Sequence, residues 1–215
     1  MPKSTVDGII KRLHILQKEL EQEIDSLLEE KRKQFKYTFQ KGKINFEKGV
    51  QALQQRTKTG VFRYIAQARI GHILSAPIIY SVLIPFVLLD VFVSVYQHIC
   101  FRIYGIPRVV RSNYFVIDRQ YLAYLNVIEK INCVYCGYCN GLIEYVREVS
   151  AKTEQYWCPI KHATRTHDPH RLEKNFVDYG DATDYKERLT EIQNEVRGLG
   201  EITKKTSNHN HDESP

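Results

Sequence analysis

The chain has 215 residues, with 31 Lys or Arg against 25 Asp or Glu, a net charge of +6 and an isoelectric point near 9.0. Its 43% hydrophobic and 26% charged residues exclude a wholly disordered chain, and the length allows one domain or two small ones. Polar and apolar residues are segregated along the sequence, and four of the five cysteines lie within residues 132–162.

At the N-terminus, Ile9, Leu13, Leu16, Leu20 and Leu27 follow spacings of four, three, four and seven, with Glu23 in the skipped position. This is a heptad seam flanked by charges such as Lys18, Glu19, Glu21 and Asp25. It predicts an amphipathic or coiled-coil helix that packs on its own domain or self-associates through residues 5–35. Ser4, three residues before Asp7, offers a capping box with an aspartate in place of the usual glutamate. These apolar residues belong to a charged pattern and not to a continuous core with a small-residue cleavage site, so no secretory signal peptide is expected.

Residues 31–69 carry eleven Lys or Arg (Lys31, Arg32, Lys33, Lys36, Lys41, Lys43, Lys48, Arg56, Lys58, Arg63 and Arg69) against one acid, Glu47. Such a run suits nucleic acid or anionic lipid. Its position beside a long apolar segment favours lipid headgroups, and no nucleic acid is required. The positive-inside rule places this side in the cytoplasm. Residues 1–69 are therefore expected to form a basic helical cytoplasmic arm.

From Ile73 to Tyr96 the chain reads ILSAPIIYSVLIPFVLLDVFVSVY, twenty-four residues with one charge, Asp90. About 20 apolar residues suffice to cross the hydrocarbon core of a bilayer, so residues 70–106 are expected to be a membrane segment. Pro77 and Pro85 predict a kink. Arg102, Arg108 and Arg111 make the far flank basic too. Two topologies fit: one tilted, kinked span, or a re-entrant hairpin that turns near Pro85. Asp90 is costly at membrane depth unless it has a partner, a wet groove or a function.

Residues 107–200 are expected to form a small helical domain, and residues 201–215 a disordered tail. Tyr114–Ile117 suggests a short strand. Tyr121, Leu122, Leu125, Ile128 and Ile131 predict one helix, and Leu142, Tyr145, Val146 and Val149 a second. Asn132, Gly137, Asn140 and Gly141 between them read as a turn-rich junction. A last helix, about Asp184 to Val196, has Thr183 as its expected cap.

The junction holds Cys133, Cys136 and Cys139, and Cys158 and His162 follow in CPIKH. Close thiols in a turn can converge on one ion, so Cys133, Cys136, Cys158 and His162 are a candidate Cys3His zinc site, with Cys139 spare or substituting. The C-x2-C-x2-C run followed by a distant C-P also partly matches an iron–sulfur loop. His167 and His170 are further candidate ligands. A thiol–disulfide pair, two disulfides or plain core thiols remain open beside the metal.

The strings NCVYCGYCNG and EQYWCPIKH resemble those of a family of uncharacterised bacterial membrane proteins, over about residues 70–185. The resemblance implies a bacterial inner-membrane location. It also points to Cys133, Cys136, Cys158 and His162 as the core set, because the family pattern has no cysteine at the place of Cys139. It brings no established activity.

No phosphate-binding glycine loop, G-x-S-x-G elbow or H-E-x-x-H motif occurs. Glu144 and Glu148, with Arg147 between them, read as a solvated helix face. The overall expectation is a mainly α membrane-anchored protein with a Cys/His site for zinc or an iron–sulfur cluster, structural or redox in role. A self-associating, non-catalytic adaptor and a membrane-bound thiol oxidoreductase are the alternatives.

Overall fold

The computed structural model describes residues 3–40, 43–164 and 166–212. The chain is mainly helical and divides into two compact units, residues 1–67 with 118–131, and residues 68–117 with 132–215.

In the first unit α1 runs from Lys3 to Phe35. Ser4 lies one residue inside it, so it is not the cap that the sequence suggested. Lys36, at φ 51°, turns the chain out of the helix. The basic arm is then not helical throughout: β1 (Tyr37–Gln40) and β2 (Lys43–Phe46) pair antiparallel, with Tyr37 opposite Phe46 and Thr38 opposite Asn45. The cause is local. YTF and INF are rich in β-branched and aromatic residues, and Gly42 stands between the two runs. The Tyr37 and Phe46 rings meet at 5.6 Å across the pair. Two short helices follow, α2 (Lys48–Arg56) and α3 (Val61–Gln67). The Ala123 backbone N–H donates to Gln54 Oε1 on α2 at 3.2 Å.

The helix expected over residues 119–132 starts late. Residues Arg119–Tyr121 form only a single 3-10 turn, and α7 begins at Val127. Its start is set by a reciprocal cap: Glu129 N–H donates to Asn126 Oδ1 at 3.0 Å, and Asn126 N–H to Glu129 Oε2 at 2.8 Å.

In the second unit α4 (Ile70–Ser81), α5 (Leu83–Tyr96), a π-helical turn (Gln97–Phe101) and α6 (Arg102–Tyr104) make one helix of 35 residues. The interruption at Val82 has a local reason. Pro85 lacks an N–H, and its ring crowds the carbonyl four residues back, that of Ser81, where α4 ends. The chain continues past Pro85 in the same helix, without the turn that the hairpin, one of the two topologies open in the sequence, requires.

Gly105, at φ 76°, ends the helix, and Ile106 N–H reaches back to the Phe101 carbonyl at 2.9 Å. The chain then runs back beside the helix it has left. Val109 N–H donates to the buried Gln97 Oε1 at 2.7 Å, and Gln97 Nε2 donates to Tyr145 Oη at 2.9 Å. The short strand expected at Tyr114–Ile117 does not form; a 3-10 turn, Arg111–Asn113, and a turn residue, Tyr114, are followed by irregular chain.

The helix α7 (Val127–Trp157) then runs parallel to the apolar helix. Its contacts advance together along both, from Tyr80 with Asn132, through Asp90 with Tyr138, to Tyr104 stacked on Tyr156. The core between them is Phe101, Ile106, Val109, Leu142, Tyr145, Val149 and Tyr156, closed by Val196 of α8 (Tyr185–Asp212). Asp184, at φ 51°, precedes α8, and Thr183 is not its cap; its N–H instead donates to Asp181 Oδ1 at 3.0 Å. The helix takes in residues 201–212 of the tail expected to be disordered, and residues 213–215 lie outside the described residues.

Gly137 and Gly141 do not make a turn. Both lie inside α7, where their missing side chains admit the returning chain. A Cβ on Gly141 would stand 2.8 Å from the Tyr114 carbonyl oxygen, and one on Gly137 3.1 Å from that of Val116. Gly141→Ala should therefore cost about 1–3 kcal/mol, despite the better helix propensity of alanine. Gly8→Ala, with open space around it, should gain up to about 1 kcal/mol. Thermal unfolding of the two variants in one detergent, followed by circular dichroism, checks the opposite signs.

Candidate functional site

Three cysteines share one helix. Cys133, Cys136 and Cys139 lie at successive three-residue steps inside α7. Each step turns about 300°, so they fan over roughly 120° of the helix surface. Cys136 is exposed, Cys133 half-buried and Cys139 buried, all as free thiols. Burial raises the Cys139 thiol above its ordinary value, which keeps it protonated and unreactive.

Cys158 is exposed just past the end of α7, its N–H still bonded helically to the Glu154 carbonyl at 2.8 Å. Twenty-two residues separate it from Cys136, which is about 33 Å along a continuous helix. One ion therefore cannot be shared by Cys133, Cys136, Cys158 and His162 while α7 is intact. Among the described residues no group of three or more His, Cys, Asp or Glu side chains is arranged to hold a metal ion. His170, a further candidate ligand, is engaged at 2.8 Å with Glu154 Oε2 and packs on Phe176.

What the structure does bring together is centred on Asp90. Both guanidinium nitrogens of Arg111 donate to its carboxylate, NH2 to Oδ2 at 2.6 Å and NH1 to Oδ1. Tyr138 Oη donates to Oδ2 at 2.8 Å, and Ser94 Oγ to Oδ1 at 3.3 Å. The guanidinium also lies 4.1 Å from the Phe115 ring centroid, a cation–π contact. The hydrogen bond to Asp90 holds Arg111 charged, above the ordinary arginine value. Burial, and then the hydrogen bond to Asp90, pushes Tyr138 up to about 12, so the phenol stays a neutral donor. Every strong acceptor direction of the carboxylate is thereby occupied by protein. Nothing in the sequence pairs Asp90 with Arg111, 21 residues on; an acid at membrane depth asking for a partner was the only signal.

A second polar cluster ties the loop after α7 to that helix. Arg171 donates through Nε to Glu148 Oε2 at 3.2 Å and through NH2 to Oε1. Arg147 NH2 reaches Asp168 Oδ2 at 2.8 Å. Lys152 Nζ donates to the Pro107 carbonyl at 2.9 Å, and burial lowers its affinity for a proton. Glu144 is solvated as read from the sequence, but Glu148 is buried and clamped. Each charge here has a partner, the arrangement of a structural staple.

Comparison with protein-family models, with curated proteins and with solved structures finds no match for this chain. Its fold and site therefore define only a class: a mainly helical protein with, among the described residues, one helix long and apolar enough to cross a membrane.

Removing Asp90 alone orphans Arg111. Asp90→Ala should cost about 1–3 kcal/mol, less than a fully buried pair because the Arg111 side chain is 43% exposed. In the Asp90→Ala, Arg111→Met double variant part of that cost should return, giving a coupling near 1 kcal/mol in a double-mutant cycle. For the thiols, mass-spectrometric counting of maleimide adducts should find Cys136 and Cys158 modified first and Cys139 last. Fast labelling of Cys139 would contradict its burial.

Proposed function

We propose that this chain is a membrane-anchored, non-catalytic adaptor, held in the bilayer by the helix Ile70–Tyr104. One observation carries the reading: the middle of the helix wears its apolar residues outward, while Asp90 and Gln97 turn to protein. Ile70, Leu74, Ile78, Ile84, Leu88, Phe92 and Val95 are exposed, Phe92 by 71%. Asp90 and Gln97, on the opposite side, bond to protein. In water this is the unfavourable way round; in lipid it is the favourable one. The most apolar 18 residues of the segment have mean hydropathy 2.4, and none of that stretch is buried.

The basic run from Lys31 to Arg69 faces anionic headgroups on the cytoplasmic side, and the resemblance to bacterial membrane proteins argues for the inner membrane. The third part of the reading is α1. Ile15, Leu16, Leu20, Ile24, Leu27 and Leu28 are each about half exposed along it. Most of the stability of an amphipathic helix comes from covering its apolar stripe, and a second copy provides that cover. The four–three spacing slips at Leu20, Ile24 and Leu27, taking Glu23 out of the seam. A zinc or iron–sulfur site drawing on Cys133, Cys136, Cys158 and His162 would require α7 to open about midway between Cys136 and Cys158.

Alkaline carbonate extraction of membranes expressing the full chain tests the anchor. The protein should stay in the pellet, and a variant with Leu74, Leu88 and Phe92 each changed to Asp should be released. Metal analysis of the anaerobically purified protein tests the competing reading. About one zinc or iron per chain, lost in Cys136→Ser and in Cys158→Ser alike, would overturn the adaptor with merely structural thiols.

A further inference from the structure

The short helix α3 and its approach have the makings of a second membrane contact. Phe62 is 90% exposed, more than any other large apolar residue in the described structure, and Ile65 one turn on is 44% exposed. Val61 and Tyr64 of the same helix, on its other side, are half-buried. A helical wheel puts Phe62, Ile65 and Ala66 on one edge and Arg63 beside them. Arg56, Lys58 and Arg63 are all exposed, and no acidic residue occurs between Glu47 and Asp90. The apolar helix starts at Ile70, three residues after α3 ends.

We propose that α3 is an interfacial foot on an anionic bilayer, with Phe62 and Ile65 in the headgroup–acyl boundary and Arg56, Lys58 and Arg63 among the phosphates. The proposal rests on the membrane reading of Ile70–Tyr104 and adds to it a defined contact, depth and lipid charge. Two independent features choose this occupant. An uncompensated run of cations complements an anionic surface and repels another copy of itself. An exposed aromatic flanked by basic residues is the composition of helices that lie in the membrane interface.

The test uses the full chain in vesicles of phosphatidylglycerol, or of phosphatidylcholine, carrying acyl-chain bromine as quencher. Phe62→Trp and Phe92→Trp are made separately with Trp157→Phe, so that each protein holds one tryptophan. In phosphatidylglycerol, both should emit in the blue and be quenched at least about two-fold. In phosphatidylcholine, quenching at position 62 should fall by about half while position 92 is unchanged. Lys58→Glu with Arg63→Glu should produce the same fall in phosphatidylglycerol. Quenching at 92 with water-like, unquenched emission at 62 would overturn the foot and leave the anchor standing. Equal quenching at 62 in both lipids would overturn its charge selectivity. No quenching at either position would bring down the anchor itself. Should Trp157→Phe fail to fold, the difference spectrum between Phe62→Trp and the unsubstituted chain gives the same reading.

Discussion

A carboxylate set in a long apolar helix cannot be left without a partner, and much of the second unit is arranged around that constraint. Asp90 is answered by Arg111, which lies beyond the end of the same helix. To bring the guanidinium back, the chain must reverse at Gly105 and run alongside the helix it has just left. Gln97 holds the start of this returning stretch through Val109, and Tyr138 closes the carboxylate from α7. Gly137 and Gly141 then let the returning backbone lie directly on α7. Charge neutralisation and close packing thus act together: the glycines let the returning backbone lie close, and Ile106, Val109, Gln97 and Asp90 hold it there.

The same arrangement bears on the thiols. The returning chain packs on α7 at Gly137 and Gly141, among the residues that carry Cys133, Cys136 and Cys139. That packing favours an unbroken helix there, and an unbroken helix keeps Cys158 far from the other three. The charges nearer Cys158 are engaged as well, in the pairs Glu148–Arg171 and Glu154–His170 that hold the following loop.

Helical periodicity made the mainly α class and the apolar helix legible in the sequence, because both are properties of residues close together in the chain. The errors fall where distant residues decide. Gly137, Asn140 and Gly141 carry turn propensities, and a sequence read locally breaks the helix at them; the backbone of residues 114–116, pressed against α7, makes two of these glycines necessary within it. Pro85 reads as a turn, but it costs only one irregular step at Val82. The strand pair Tyr37–Gln40 and Lys43–Phe46 is not legible in the charge pattern of residues 31–69, because the Tyr, Phe and Ile side chains decide the backbone there. Asp90 was visible as a problem, and its solution was not, since nothing local marks Arg111 as its partner.

The most direct test of the central claim is a nitroxide scan along residues 70–104 of the full chain in lipid bilayers, read by collision with oxygen and with a water-soluble nickel complex. Labels at Leu74, Ile78, Ile84, Leu88, Phe92 and Val95 should meet oxygen readily and nickel hardly at all. Labels at positions 90 and 97 should meet neither, giving a helical period in the oxygen profile. High nickel collision rates along the whole scan would mean that water surrounds this helix, and the account of a membrane anchor built around Asp90 and Arg111 would be wrong.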